Sequence, residues 1–457
     1  MSYQCGRPGR PARLLADPGR PIERNHVKAF IPVGRRRLAK SVVATVAVGV
    51  LLAGCGGAPA SSPKATSAAV DLKSADGAKG DITICGGKDA SGIHKNTTAA
   101  FHAANPTMTA KYVEIGSSTD QQRTQTVQRL EGKSTECDIF MMDVTWAPEF
   151  AAQNWLLDQS PVMEKIKDRL IPSTAKTAYY DGKYWATPFY TNAGLIYSAK
   201  GKVAKPSTWQ QLYAEAAKAP GNGFVFQAQQ YEGLTVNFLE LLYSAGGEAV
   251  NDKGEVKIDS PETREVLQFM ADGIKNGSAD RAVMTYNEDQ TRLAYESGKF
   301  GYERNWPNVY GMLNKTPLAG QFDVSPLPSF NGKSAASGVL GGWNFAISAF
   351  AQNSGAALAY INFATTPEWQ KHVAIDNSQA PVNEAAYSDP AVLKAMPFAK
   401  ELLASVKGAK PRPQSPVYPQ ISQAIYKNVY SVLTGSASAD DATKKMAEEI
   451  KTAQASF

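Results

Sequence analysis

The run Asp138-Ile139-Phe140-Met141-Met142 limits the fold more than any other stretch of the chain. It is short, apolar and followed at once by Asp143. A strand of that kind is covered on both faces, as strands inside an α/β sheet are. Its neighbours agree. Residues 81–85 read as a short strand ending at Gly86-Gly87, and residues 107–115 as a second strand. Helical stretches lie between them at 96–104 and 119–130, the first stopped by Asn105-Pro106. A further helix follows at 145–154. This alternation predicts a doubly wound parallel sheet. Ligands of such sheets sit beyond the carboxyl ends of the strands. Asp143 stands there, with Trp146 one turn on. Asp143 serves equally well as the N-cap of the next helix, and both readings stand.

The first 80 residues are of a different kind. Arg35-Arg36-Arg37-Leu38-Ala39-Lys40 precedes an uncharged, mostly apolar run to Gly54. Basic patch, short apolar stretch and small residues make residues 1–54 a secretory signal. The run falls short of the roughly 20 apolar residues that span a bilayer. Leu52-Ala53-Gly54-Cys55 resembles the bacterial lipobox, which implies cleavage before Cys55 and lipid on its thiol and new amino terminus. The Arg35–Lys40 cluster also resembles a twin-arginine signal, so the export route stays open. Residues 1–34 precede a signal that is already complete. They point to a start downstream of Met1, for instance at Val33 read from a non-ATG codon; a precursor that begins at Met1 would rule this out. In residues 56–80, eighteen of 25 positions are Gly, Ala, Ser, Pro or Thr. Residues 55–80 are therefore expected to be a lipidated flexible tether of roughly 25–30 Å.

The net charge of +6 belongs to this leader. Residues 1–40 carry ten Lys or Arg against Asp17 and Glu23, which leaves 38 basic against 40 acidic groups in the remainder. The folded part offers no argument for a nucleic-acid partner. His26, His94, His102 and His372 show no ligand spacing and no CxxC occurs, so no metal or cofactor is expected. Neither Gly-Lys-Ser triplet has a glycine five residues before it, which excludes a phosphate-cradling loop. No Gly-x-Ser-x-Gly elbow is present. Cys85 and Cys137, read at opposite ends of parallel strands, are expected to be two buried thiols.

Further along, Tyr184–Asn192 is an aromatic cluster before an apolar strand at 195–197. Alternating strands and helices continue to about residue 330. Asn353-Ser354 and Thr366-Pro367-Glu368 read as helix starts. Residues 416–457 read as two or three helices.

Six local motifs then occur in order. They are Phe140-Met141-Met142-Asp143-Val144-Thr145-Trp146; Thr191-Asn192; Gln230-Tyr231-Glu232-Gly233-Leu234; Asn305-Trp306-Pro307; Leu340-Gly341-Gly342-Trp343-Asn344; and Arg412-Pro413 with Pro416-Val417-Tyr418. The ordered set, behind a lipobox, resembles the trehalose/maltose-type solute-binding lipoproteins (family 1) of ABC importers. The resemblance implies an α/β, two-lobed periplasmic-binding-protein-like fold with two doubly wound sheets and a multi-strand hinge. One lobe would hold residues 81–190 and 338–382, the other 191–337 and 383–457, with crossings near 189–192, 337–340 and 380–383. It implies no catalysis. It implies a monomer anchored to the cell membrane that captures a sugar between the lobes and docks on the importer's membrane subunits.

A disaccharide needs planar polar groups for its hydroxyls and flat rings for its C–H faces. The motif positions supply both. Asp143 and Arg412 are the leading hydroxyl-binding groups and Trp306 the leading stacking ring. Trp343 is a second ring, with a backbone amide from Gly341-Gly342 beside it. Asn192 and Tyr190 fall close by, and Glu232 is either a sugar contact or a hinge brace. In the 86–92 loop, Lys88 or Asp89 would reach the ligand. Outside the resemblance, each has a plainer reading: core tryptophans, a surface ion pair for Arg412, hinge packing for Tyr190.

The leading function is capture of an α-linked glucose disaccharide, trehalose or maltose. Another oligosaccharide or a glycosylated metabolite would use the same residue types. An extracytoplasmic glycosidase using Asp143 and Glu232, and a tethered scaffold protein, are the competing classes.

Overall fold

The computed structural model describes residues 65–218, 223–332 and 337–457. The signal segment 1–54, the start and Cys55 lie outside the described residues.

Among the described residues the chain forms twelve strands. β1 (Gly80–Gly87), β2 (Met108–Gly116) and β3 (Ile139–Asp143) open the fold. A small hairpin, β4 (Tyr179–Tyr180) with β5 (Lys183–Tyr184), precedes β6 (Thr187–Asn192). β7 (Leu195–Ala199), β8 (Phe224–Val225), β9 (Tyr302–Asn305) and β10 (Phe322–Pro326) follow. β11 (Gly341–Ile347) and β12 (Ala380–Pro381) complete the set.

The strands form two main sheets, in the orders β12-β6-β11-β3-β1-β2 and β10-β7-β9-β8. β1 is parallel to β2 and β3, with the helices Ile93–Ala104 and Thr119–Glu131 as crossovers. The wholly parallel sheet expected from the alternation is not what forms. β11 lies antiparallel between β3 and β6, and β12 is antiparallel to β6. The reason is connectivity: β6 and β11 adjoin segments that run to and from the other sheet, so no crossover helix fixes their direction. The chain passes between sheets after Asn192, between Pro326 and Gly341, and after Pro381. Two lobes thus share a hinge of adjacent strands.

Alternation along the strands divides the first lobe into two cores. Ile84, Ile139, Met141 and Phe345 pack on one face of the sheet. Cys85, Phe140, Met142 and Ala346 pack on the other. All five residues of β3 are buried, which is why this run carries no charge before Asp143. The second lobe has one larger core, in which the helix Glu232–Ser244 is buried along its whole length. Asn353, Thr366 and Ser438 cap their helices as their sequence contexts suggest.

Two expectations need correction. Residues 65–80 are not a free tether. Ala65 and Val70 are buried, Ala69 bridges Asp158, and Val70 donates its amide to the Asp158 carbonyl at 2.9 Å. The turn Leu72–Ala75 packs on the helix Ser354–Ala364. Small residues cannot build a core, but their backbone amides find partners on an existing one. Cys85 and Cys137 are joined in a disulfide, with Cα atoms 5.8 Å apart. β3 is short and starts at Ile139, level with Ile84 in the middle of β1. Cys137 therefore lies beside β1 rather than at the far end of the sheet.

Candidate functional site

Between the lobes lies a cleft of about 190 Å3, lined from both sides. Its floor is the hinge. Gly341 and Gly342 open β11, opposite Asn192 and Thr191 of β6. Gly342 has φ of 133°, and a Cβ there would lie 2.5 Å from the Tyr190 carbonyl oxygen. Only glycine fits, and the constraint is the fit of β11 on β6. A Cβ on Gly341 would press at 3.1 Å on the Trp306 ring, so that ring lies almost against the hinge backbone. Trp343 is paired with Asp143 across β3 and meets Trp146 edge-on at 5.8 Å.

Asp143 ends β3. Its Oδ1 accepts from the Thr145 amide at 3.0 Å and the Thr145 hydroxyl at 2.8 Å, which closes the turn after β3; the N-cap of the next helix, Ala147–Ala152, is Trp146 and not Asp143, because the turn intervenes. The same carboxylate receives Arg412 Nη2 at 2.8 and 3.1 Å and borders the cleft. Arg412 is no surface arginine; it is 3% exposed. Its Nη1 donates to Glu232 Oε1 at 2.6 Å. Tyr418 and Ser422 hydroxyls also donate to Glu232, and its amide donates to Asp120 Oδ1 at 3.2 Å. Burial pushes the Glu232 carboxyl up to about 7, with the Arg412 guanidinium opposing it. Every oxygen of Glu232 is engaged by the protein, which is the geometry of a brace. Asp143 and Glu232 share one guanidinium, and neither is placed as a free acid or base.

On the second lobe, β9 presents Trp306 just beyond its last residue. The Arg304 guanidinium lies over the Trp306 ring at 4.1 Å. Arg304 is fully buried, paired with Glu240 and bonded to Gln227 Oε1 at 2.9 Å. The indole is thus held from behind by a fixed cation.

On the first lobe, the loop after β1 carries Lys88 and Asp89. Asp89 Oδ2 caps the helix Ile93–Ala104 through the amides of His94 and Lys95 at 2.9 and 3.0 Å. Burial raises its carboxyl above the ordinary range, against those amide bonds. Lys88 crosses the cleft to Asp289. Tyr190 lies in the wall, its phenol held well above its usual range by burial. Asp89, Tyr190, Asn192 and Asp143, with Glu232, Trp306, Gly342, Trp343 and Arg412, thus border one cleft, as do Lys88 and Gly341.

Among the wall residues given no role from the sequence are His94 and Gln379. His94 is buried and stacked on Tyr112 at 3.9 Å, and burial lowers its imidazole to about 3, so it is neutral. Its place in the first turn after the 86–92 loop was the available signal. Gln379 precedes β12 and had no local signal. Among the described residues no group of three or more His, Cys, Asp or Glu is arranged to hold a metal ion.

Residues 86–371 match the family of bacterial extracellular solute-binding proteins. The chain belongs to this family. It is a binding protein rather than an enzyme. A probable ABC transporter-binding protein of Deinococcus radiodurans is 32% identical over 361 residues, covering 74% of this chain and 85% of that one. The maltose-bound Thermotoga maritima MalE3 structure superposes with a TM-score of 0.77 at 33% identity, covering 82% of this chain and 99% of that one. A mannitol-binding protein of Pseudomonas aeruginosa is 24% identical over 383 residues, covering 75% of this chain and 85% of that one. The two-lobed periplasmic-binding-protein fold is therefore shared with sugar-bound structures. Among the described residues of this solute-binding protein, no helix is long and apolar enough to cross a membrane.

Proposed function

We propose that the protein captures an α-linked glucose disaccharide, of the trehalose or maltose type, and delivers it to the membrane subunits of an ABC importer. One observation carries this reading. Asp89 Oδ1, His94 Nδ1, Asn192 Oδ1, Gln379 Oε1 and Arg412 Nε are all buried without a protein partner. All five residues border the same cleft. A buried polar atom left unpaired costs about 1–3 kcal/mol, so five around one cleft call for a ligand rich in hydroxyls. Three of them are acceptors for sugar O–H groups and Arg412 Nε is a donor. Trp306 and Trp343 offer flat faces for the C–H surfaces of the rings. The 33% identity to a maltose-bound structure supports this cargo.

The sugar joins groups from both lobes, so it favours the closed arrangement and shifts the population towards it. Lipid on Cys55 would keep this monomer at the outer face of the cell membrane, beside its importer.

The test is calorimetric titration of the purified protein, unfolded and refolded to remove any carried sugar, with trehalose, maltose and sucrose. Saturable binding of an α-glucoside, recovered unchanged, is expected. Heat traces without saturation for both trehalose and maltose would overturn the assignment of cargo.

A further inference from the structure

The segment that leads from Cys55 and the small β4–β5 hairpin meet at one place on the first lobe. The Asp158 amide donates to the Ala68 carbonyl and the Asp158 carbonyl accepts from the Val70 amide, both at 2.9 Å. The Asp158 carboxylate holds Lys183 Nζ, on the hairpin, at 3.1 Å. Nearer to Cys55, the Thr66 amide donates to Asn154 Oδ1 at 2.6 Å. Ala65 is buried in the core against which Trp155, Tyr180 and Tyr184 pack. Ten residue steps separate Cys55 from Ala65. Even fully extended they reach no more than about 35 Å, so lipid on Cys55 would keep this corner of the lobe close to the bilayer.

The hairpin is built to hold its shape. Asp181 and Gly182 take φ of 49° and 81°, as the two central residues of a tight hairpin turn do. Trp185 Nε1 donates to the Tyr180 carbonyl at 2.9 Å, and the Gln159 amide to the Tyr184 carbonyl at 2.7 Å. None of these contacts covers Tyr179. Its ring meets Tyr184 edge-on at 5.0 Å, and Tyr179 stays 46% exposed, one of three large hydrophobic residues so placed among the described residues. Lys183 is matched by Asp158, while Asp181 and Lys176, both exposed, balance each other. The surface is therefore near neutral. It is topped by a ring with an apolar body and a polar tip, the kind of side chain that settles at headgroup depth.

We propose that the β4–β5 hairpin is a membrane-contacting surface, with Tyr179 seated among the lipid headgroups around the anchor. The proposal rests on the lipid reading of Cys55. A single ring binds a bilayer weakly. A tethered ring meets it at high effective concentration, so the contact sets the orientation of the lobe without having to supply the affinity.

The test uses the full chain made with its leader, its acyl groups verified by mass, in vesicles of phosphatidylethanolamine and phosphatidylglycerol. An environment-sensitive dye is placed at Lys176→Cys, three residues before Tyr179, or at Leu293→Cys, exposed on the second lobe. Brominated lipid is expected to quench the first dye about threefold more than the second. Adding Tyr179→Ser should bring the two to the same level, with maltose affinity unchanged, since Tyr179 does not border the cleft. Equal quenching at both positions with Tyr179 in place overturns the proposal, as does a difference that survives Tyr179→Ser. Quenching that needs no bromine and grows with protein density assigns the hairpin to a second copy of the chain and overturns it too. Acylated protein with an unquenched dye overturns this contact and leaves the anchor standing. A chain without acyl groups overturns both.

Discussion

Arg412 joins two carboxylates from opposite lobes: its Nη2 lies 2.8 Å from Asp143 Oδ1 and its Nη1 2.6 Å from Glu232 Oε1. Breaking a buried pair by removing one partner costs about 3–5 kcal/mol, because the remaining charges are left uncompensated. Arg412→Met should therefore lower the stability of the protein by that order in urea unfolding. Arg412→Lys keeps the charge but not the planar fork and cannot serve both carboxylates. Its binding of maltose should weaken roughly 100-fold. A Lys variant with natural affinity would show that the fork has no part in the site.

The mouth of the cleft is spanned by Lys88 and Asp289, whose side chains are 54% and 25% exposed. Ion pairs this accessible contribute about 0–1 kcal/mol and are screened by salt. Lys88→Ala should speed sugar release up to about fivefold in low salt, and the difference should vanish near 1 M salt. Stopped-flow tryptophan fluorescence reads both. A release rate unmoved by the mutation at low salt would show that the pair has no latching role.

Trp306 was legible because Asn305-Trp306-Pro307 is a compact local motif. What stands behind it was not. Arg304 and Glu240 lie 64 residues apart, and charged residues in strand and helix patterns read as solvent-facing until the packing is seen. Arg304→Lys should weaken sugar binding about fivefold and shift Trp306 emission, since the stacked cation at 4.1 Å is lost. Unchanged emission would mean that Arg304 does not set the ring.

The same contrast runs through the fold. The β1-to-β3 alternation was legible, since period and punctuation are local. The antiparallel insertion of β11 was not, because register between distant segments is a tertiary choice. Gly342 was legible as a site glycine, but its reason lies in the Tyr190 carbonyl of the neighbouring strand. The disulfide escaped because the offset of β3 along β1 is invisible in a strand assignment.

Glu303 gives the protein a pH dependence. It lies opposite Tyr197 in the sheet, accepts from Asn305 at 2.7 Å, and burial pushes its carboxyl up to about 8. Its unfolded value is near the ordinary glutamate figure of about 4.3. Between those two values the folded state holds a proton that the unfolded state has lost. Stability therefore falls as pH rises through this window, by about 1.4 kcal/mol per pH unit for this one group. Glu232 adds to the slope in the same direction up to about pH 7. Glu303→Gln should remove the Glu303 share and make the profile shallower between pH 7 and 8. Urea midpoints of both proteins from pH 5 to 8 check it, and equal slopes would place Glu303 outside this effect.

The Cys85–Cys137 disulfide closes a loop with a sequence separation of 52. On the chain-entropy view, a loop of that size restricts the unfolded state by about 4 kcal/mol. The bond ties β1 to the segment entering β3, and both sulfurs sit in the same buried core as Phe140 and Met142. Asp89 is anchored separately, by the His94 and Lys95 amides. The Cys85→Ala, Cys137→Ala double variant should therefore unfold at clearly lower urea while its sugar affinity is kept. Reducing agent should reproduce the shift in the natural protein and not in the variant. Loss of affinity at full stability would reverse the assignment and make the bond part of the cleft.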